Sequence, residues 1–136
     1  MTNLKKLTRK DLLYLELSYQ IIGILFEVSN ELGNKYHERY YQKAIASLFR
    51  KSGIKFQEQC PLRFIMGENP LTKGYADFLI DGKVILEIKK GERFFKSNIE
   101  QLYSYLKLAN VKLGILANFT SRGLQFKRVI NIRNSS

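Results

Sequence analysis

The sequence contains very little cysteine and histidine, and this scarcity excludes several kinds of site. Its 136 residues include one cysteine and one histidine. A single cysteine excludes an internal disulfide and is typical of a protein from a reducing cytoplasm. Because His37 is the only imidazole that could activate Cys60, a structural thiol is favoured over a catalytic nucleophile.

Long hydrophobic runs are also absent. No apolar run approaches the ~18 residues that a membrane-spanning helix requires. The first ten residues are polar and basic and are not followed by the apolar core of a signal peptide. A long basic helix with aromatic anchors would indicate binding to a membrane surface, and the sequence contains none. The sequence therefore predicts a cytoplasmic protein with no membrane partner.

Acidic residues are scarce and are unevenly distributed along the chain. The chain has 12 acidic against 23 basic residues and a formal net charge of +11. Residues 101–136 contain no acid but six basic residues: Lys107, Lys112, Arg122, Lys127, Arg128 and Arg133. Such an excess is typical of a protein with a polyanionic partner, although a solvated surface can also carry it. Nucleic acid is the predicted partner.

The residues that are present predict one folded domain over residues 1–136. Hydrophobic residues make up 45% of the chain, and no repeat or linker divides it. Helical spacing, beginning at a capping box Thr8–Asp11, predicts a first helix that ends at Gly33–Asn34. Further helices are predicted over about 36–52 and 98–109, and strands over about 54–60, 62–66, 74–80, 83–89, 112–118 and 125–132. The order ααββββαββ predicts an α/β fold with a central mixed β-sheet flanked by helices.

Three charges interrupt the apolar strands of the predicted hairpin at 74–89: Asp77, Glu87 and Lys89. Burying an unpaired charge costs roughly 2–7 kcal/mol or more. Charges inside such strands are therefore expected to meet each other, a metal or a substrate. Two carboxylates can hold Mg²⁺, and a lysine can face a phosphate or the attacking water. Solvated strand residues are the ordinary alternative.

Two helices supply further candidates. Glu38 precedes Tyr41 and Ile45 by three and seven residues, which places it at the head of the buried face of the second helix. Spacing alone supports equally a surface glutamate that favours the helix dipole. Gln101 and Tyr105 lie one turn apart on the third helix, beside its apolar stripe, and could bind a phosphate or a frayed strand end.

The register of the hairpin decides whether the two acids can share a metal. A two-residue turn at Asp81–Gly82 would set Asp77 opposite Leu86, so that Asp77 and Glu87 would face opposite sides of the sheet. A three-residue loop, Ile80–Gly82, would set Asp77 diagonal to Glu87 on one face. We therefore expect the bulged register or an equivalent one-residue offset.

These motifs together resemble the PD-(D/E)XK nuclease superfamily, and within it the small GxxExxY group. The resemblance extends over about 17–131, through the segments 21–33, 38–41, 74–77, 85–89, 101–106 and 118–119. One departure is Lys35, which stands where the group's name motif has glycine.

The resemblance implies a Mg²⁺- or Mn²⁺-dependent nuclease acting on DNA. Asp77 and Glu87 would bind the metal, Glu38 would assist the metal or its water, and Lys89 would be the catalytic lysine. Contacts to nucleic acid would come from residues near the charged strand and on the third helix: Lys90, Arg93, Lys96, Gln101 and Tyr105. A homodimer fits an enzyme that cuts two strands. The alternatives are a non-catalytic nucleic-acid-binding module with the nuclease fold, and a structural or inhibitory partner in a larger complex.

Overall fold

The computed structural model describes residues 13–132, so the predicted capping box at Thr8–Asp11 lies outside the described residues. Within these residues, three helices and five strands follow one another in the order ααβββαββ: α1 (Leu15–Leu32), α2 (Glu38–Lys51), β1 (Phe56–Met66), β2 (Asn69–Ile80), β3 (Val84–Lys90), α3 (Lys96–Ala109), β4 (Leu113–Thr120) and β5 (Gly123–Ile130). None of the described helices is long and apolar enough to cross a membrane.

The prediction of four strands before the third helix is wrong by one. The two short strands expected on either side of Pro61 form the single strand β1. Proline lacks the backbone N–H that a central strand needs, but an edge strand can accommodate it. β1 is an edge strand, and Pro61 lies across from Tyr75 of β2.

The strands form one mixed sheet in the order β1-β2-β3-β4-β5. β3 and β4 are parallel, and the other neighbouring pairs are antiparallel. The parallel pair requires a crossover connection, and α3 supplies it. The expected architecture, a mixed sheet flanked by helices, is confirmed.

Helices cover both faces of the sheet. On one face, α1 and α2 contribute Ile21, Leu25, Ile45 and Phe49 to a core shared with Leu86 of β3. On the other face, α3 packs Leu102 and Leu106 against a second cluster that includes Ile85 and Leu116. Alternating residues of β3 therefore enter different cores. Glu87 and Lys89 follow Ile85 at intervals of two residues, so they lie on the face covered by α3.

Candidate active site

The β2–β3 hairpin sets the acids opposite each other. Its backbone pairs are Phe78–Leu86, Leu79–Ile85 and Ile80–Val84. The next step along this register places Asp77 across from Glu87. Directly opposed residues of an antiparallel pair project to the same face of the sheet. The sheet therefore brings the two predicted metal ligands to one place.

The hairpin has neither the two-residue turn nor the Ile80–Gly82 loop, but it has an equivalent one-residue offset, as expected. The loop has three residues, but they are Asp81, Gly82 and Lys83, and Ile80 stays in the strand. Asp81 and Gly82 adopt left-handed backbone conformations, and the Lys83 N–H donates to the Ile80 carbonyl at 2.9 Å. Burial explains the choice, since Ile80 is fully buried whereas Lys83 is exposed. A one-residue offset was expected, and it occurs one position further along the chain.

The two carboxylates continue the hydrogen bonding where the backbone ladder of β2 and β3 ends. The Asp77 N–H donates to Glu87 Oε2 at 2.8 Å. The Ile88 N–H donates in return to Asp77 Oδ2, also at 2.8 Å. Each side chain is thus fixed by the backbone of the other strand. This reciprocal arrangement orients both carboxylates.

The electrostatics of the pair are unfavourable without a cation. Glu87 is only 5% exposed. Burial, and then the nearby charge of Asp77, raise the pKa of Glu87 to about 8, while the charge of Lys89 acts in the opposite direction. Two adjacent carboxylates in a poorly solvated place therefore hold a proton unless positive charge is supplied.

The donor set fits a hard divalent cation. Mg²⁺ is commonly held by one or two carboxylates, with water and substrate phosphate completing its shell. Asp77 and Glu87 supply two such carboxylates. Within residues 13–132, no group of three or more His, Cys, Asp or Glu side chains is placed to hold a metal. The site is therefore a two-carboxylate site in this structure.

Lys89 lies on the same face as Glu87 and is half-buried. The parallel pairing of β3 and β4 places it beside Asn118. The Asn118 side chain is 1% exposed, and neither of its amide atoms has a hydrogen-bond partner among the described residues. Buried amides are nearly always paired. Asn118 thus offers an unused acceptor and donor on the site face, next to the lysine.

The expectation that Tyr105 lies beside the apolar stripe of α3 is wrong. It is 6% exposed and belongs to the core beneath that helix, whereas Gln101 is exposed as expected. Burial raises the pKa of Tyr105, and the charges of Glu87 and Asp77 raise it further. The phenol therefore lies near the acidic pair and stays protonated at neutral pH, able to donate a hydrogen bond.

Gly74 makes the position of Tyr105 possible. A Cβ atom on Gly74 would collide with the Tyr105 hydroxyl and would lie 3.1 Å from its Cζ. Local sequence patterns assigned no packing role to this glycine, because the partner that occupies its missing side-chain volume comes from a helix about thirty residues later.

Glu38 is the first residue of α2, and its side chain is exposed. Of the two interpretations that the spacing left open, the structure therefore has the surface glutamate, because the buried face of α2 begins only at Tyr41. The Tyr41 ring stacks on the Phe119 ring, with 4.4 Å between the ring centroids. Phe119 of β4 is the strand partner of Lys90 of β3. Glu38 thus lies at the same end of the sheet as Lys89, but it is not part of a three-acid group with Asp77 and Glu87.

Basic side chains lie from the end of β3 to the start of α3. Lys90, Arg93 and Lys96 are exposed. Glu92 fixes this segment, since it accepts hydrogen bonds from the Ser121 backbone N–H at 3.1 Å and the Ser121 hydroxyl at 2.8 Å. These bonds lower the pKa of Glu92. Arg93 therefore lies on an anchored loop, with Lys90 and Lys96 at its two ends.

Sequence reasoning missed two glutamines. Gln59 of β1 donates to Asp77 Oδ1 at 3.5 Å and to Gln42 Oε1 of α2 at 2.9 Å. A glutamine within a polar stretch gives no signal by itself. Only the register of β1 on β2, which places this residue near Asp77, connects it to the site.

Comparisons with known proteins agree with the fold described above. A search of curated proteins finds no match to the chain. Among solved structures, the crystal structure of SSO0001 matches with a TM-score of 0.54 and 19% identity, covering 93% of this chain. The match covers 62% of the SSO0001 chain, so it spans less than two thirds of that protein, and at this identity it shows the fold alone. The family model of the PD-(D/E)XK nuclease superfamily matches residues 15–129, and the chain therefore belongs to that superfamily.

Proposed function

We propose that this protein is a Mg²⁺- or Mn²⁺-dependent nuclease that hydrolyses phosphodiester bonds of DNA. The observation that carries the proposal is the face-to-face placement of Asp77 and Glu87, with Lys89 two residues further on the same strand face. Membership of a nuclease superfamily supports the reaction class. The net charge of +11 supports a polyanionic substrate.

Each residue has a distinct role in the proposal. Asp77 and Glu87 would hold the cation, which when bound supplies Lewis-acid chemistry at the scissile phosphate and acidifies water. Lys89 donates a hydrogen bond to a phosphate oxygen or to the attacking water and places positive charge where negative charge develops. Tyr105 is a protonated donor above the pair, suited to orient a phosphate oxygen.

Substrate binding is assigned to the exposed residues next to the site. Lys90, Arg93 and Lys96 are placed to contact the phosphates that flank the scissile bond, and Gln101 adds a neutral donor on α3. Phosphate contacts of this kind position the strand without reading its sequence. The proposal therefore specifies no sequence preference.

Glu38 is proposed to assist through water at the rim of the site, because its side chain is exposed on α2. We also propose membership of the GxxExxY group, supported by the spacing of Glu38 and Tyr41. A cytoplasmic location follows from the single cysteine. We also propose a homodimer, because two copies would supply one site for each strand of a duplex, and sedimentation of the full chain tests it.

The proposal is tested by incubating the full chain with linear duplex, circular duplex and single-stranded DNA and with RNA, each in Mg²⁺, Mn²⁺ or EDTA. DNA cleavage is expected with either metal and not with EDTA. Asp77→Asn and Glu87→Gln should each lower the rate at least about 100-fold, since even groups that only orient metal ligands are worth about 10- to 100-fold.

The matched control is Asp81→Asn, which removes an exposed carboxylate from the turn of the same hairpin and should keep the parent rate. Glu38→Gln should lose less than either ligand variant. Folded Asp77→Asn or Glu87→Gln protein that cuts at the parent rate would refute the assignment of the ligands. Tight DNA binding by the parent without cleavage under any metal condition would favour the non-catalytic binding module.

A further inference from the structure

The regular alternation of β1 breaks at Gln59. In a regular strand, consecutive side chains point to opposite faces. Here Glu58 and Gln59 both contact one side chain, Gln42 of α2. Gln59 has a φ of 48°, a left-handed conformation that residues other than glycine rarely adopt. This backbone rotation accounts for two neighbouring side chains reaching the same helix.

The break occurs directly beside the proposed metal ligands. Glu58 pairs with Phe78 and Cys60 pairs with Ala76, so Gln59 falls across from Asp77. No backbone pair joins Gln59 to Asp77, and the side chains make the contact instead. The carboxylate of Asp77 therefore receives the Ile88 N–H from β3 on Oδ2 and the Gln59 amide from β1 on Oδ1.

The amide of Gln59 is itself held in place. Its Nε2 uses one hydrogen for Gln42 Oε1 at 2.9 Å and the other for Asp77 Oδ1 at 3.5 Å. Gln42 is tied in turn to Glu58, which Arg50 also contacts at 3.5 Å. A short chain of hydrogen bonds thus runs from the exposed surface of α2, through Gln42 and Gln59, to the proposed metal ligand.

We propose that Gln59 is a positioning residue that orients the Asp77 carboxylate for the cation, with Gln42 holding the Gln59 amide. This inference rests on the proposed function, because it assigns Gln59 a role at the proposed metal site. Glu87 is fixed from one side by the Asp77 N–H. Asp77 lies closer to the edge of the sheet, and its second oxygen would be free to turn without a donor from β1.

The left-handed backbone of Gln59 fits this role. Strained conformations persist when the surroundings determine them, and they are frequent at functional sites. Gln57 provides the comparison within the same strand: it is exposed, has no positive φ, and its Oε1 accepts a hydrogen bond from the Cys60 thiol at 3.4 Å. The two glutamines therefore have the same chemistry and different tasks.

The test is titration of the full chain with Mn²⁺ by isothermal calorimetry, combined with the metal dependence of DNA cleavage. Gln59→Gly keeps the left-handed backbone and removes the amide, whereas Gln59→Ala removes the amide and disfavours that backbone. Gln42→Ala removes the anchor and leaves β1 unchanged. Gln57→Ala is the matched control, and thermal unfolding checks that every variant is folded.

Gln59→Gly and Gln59→Ala are expected to weaken Mn²⁺ binding by up to about tenfold, the lower end of the effect of groups that orient metal ligands, because the side chain is exposed. Saturating Mn²⁺ should restore much of the cleavage rate. Gln42→Ala should show a smaller loss, and combining it with Gln59→Gly should add nothing further. Gln57→Ala should bind like the parent.

Three results would overturn the inference while leaving the proposed function intact. They are parent-like Mn²⁺ affinity in Gln59→Gly, an equal loss in Gln57→Ala, and a full loss that appears in Gln59→Ala alone. If the Gln59 variants do not fold, parent-like affinity in Gln42→Ala refutes it. A parent chain that binds no Mn²⁺ would refute the proposed function itself, and the inference with it.

Discussion

Among single residues, Glu87 lies in an environment that is costly for a charge. The residue is 5% exposed, and its carboxylate lies close to that of Asp77. A protein without a use for it would gain from a hydrophobic residue at this position, since a buried charge without compensation is destabilising. The unfavourable environment has a measurable consequence, because the protonation of Glu87 couples to folding.

We predict that the metal-free protein loses stability as the pH rises from about 4.5 to about 8. Burial raises the pKa of Glu87 from 4.5 to about 8 in the folded state. Between these values the folded chain holds a proton that the unfolded chain has released, so ΔG of unfolding falls with a slope of at most about 1.4 kcal/mol per pH unit. Below pH 4.5 Glu87 is protonated in both states, and its full contribution to the free energy of unfolding is present.

Urea unfolding in EDTA at several pH values measures this slope for the parent and for Glu87→Gln, which cannot titrate at this position. The parent should show the steeper decline. Mn²⁺ should bind more strongly as the pH approaches 8, because the cation competes with the proton for the carboxylate. Identical slopes for the parent and the variant would contradict the assignment of the raised pKa to Glu87.

Lys89 is predicted to act on the reaction rather than on metal binding. Lys89→Met should lower the cleavage rate about 100- to 1,000-fold, comparable to the loss of one transition-state donor, with nearly unchanged Mn²⁺ affinity. The control is Lys83→Met, which removes an exposed lysine from the hairpin turn. Calorimetry and cleavage assays separate the two effects, and an equal loss of metal affinity would make Lys89 structural.

At the scale of elements, the sequence predicted which strands carry the site but not how they align. Period-two alternation and Asp81–Gly82 identified the hairpin. The register depended on whether Ile80 or Lys83 was the third residue of the loop, and the local sequence was compatible with both. The burial of Ile80 in the core decides the register. The Asp81 N–H, which donates to the Lys55 carbonyl at 2.8 Å, also holds the loop in this register.

Elements that meet only in three dimensions were less predictable. Helical spacing predicted the extent of α3 within two residues, yet it placed Tyr105 beside the apolar stripe rather than within it. Tyr105 is buried because Gly74, on another element, leaves room for its ring. Gln59 escaped prediction for the same reason, since its partners lie on α2 and β2. Local patterns contain no information on such long-range contacts.

The contact between β2 and α3 gives a prediction at this scale. Gly74→Ala should displace Tyr105 and destabilise the protein by about 1–3 kcal/mol, the usual cost of overpacking. Because the Tyr105 hydroxyl is the nearest atom, the same change should cost less in a Tyr105→Phe background. Urea unfolding of the four proteins gives the coupling between the two positions. Additive effects would show that the two residues do not compete for space.

For the whole molecule, fold and charge carry different kinds of information. The family match and the superposition on SSO0001, at 19% identity, concern the fold. Neither specifies a substrate, because one fold can support many functions. The net charge of +11 says nothing about the fold but indicates an anionic partner. The substrate must therefore be tested through electrostatics, independently of cleavage.

The last prediction concerns the salt dependence of DNA binding. Measured with Glu87→Gln in EDTA, where cleavage is prevented, the affinity for duplex DNA should fall linearly on a log–log plot against salt, with a slope of about −0.9 per phosphate contacted. Arg93→Ala and Lys96→Ala should each reduce the magnitude of the slope by about 1. Lys55→Ala is the matched control, because Lys55 is exposed beside the hairpin turn, at the opposite end of β3 from Lys89. Fluorescence anisotropy at five salt concentrations and constant pH measures these slopes. A flat dependence in Glu87→Gln would remove nucleic acid as the main partner, and an equal change on adding Lys55→Ala would place the contacts elsewhere on the basic surface.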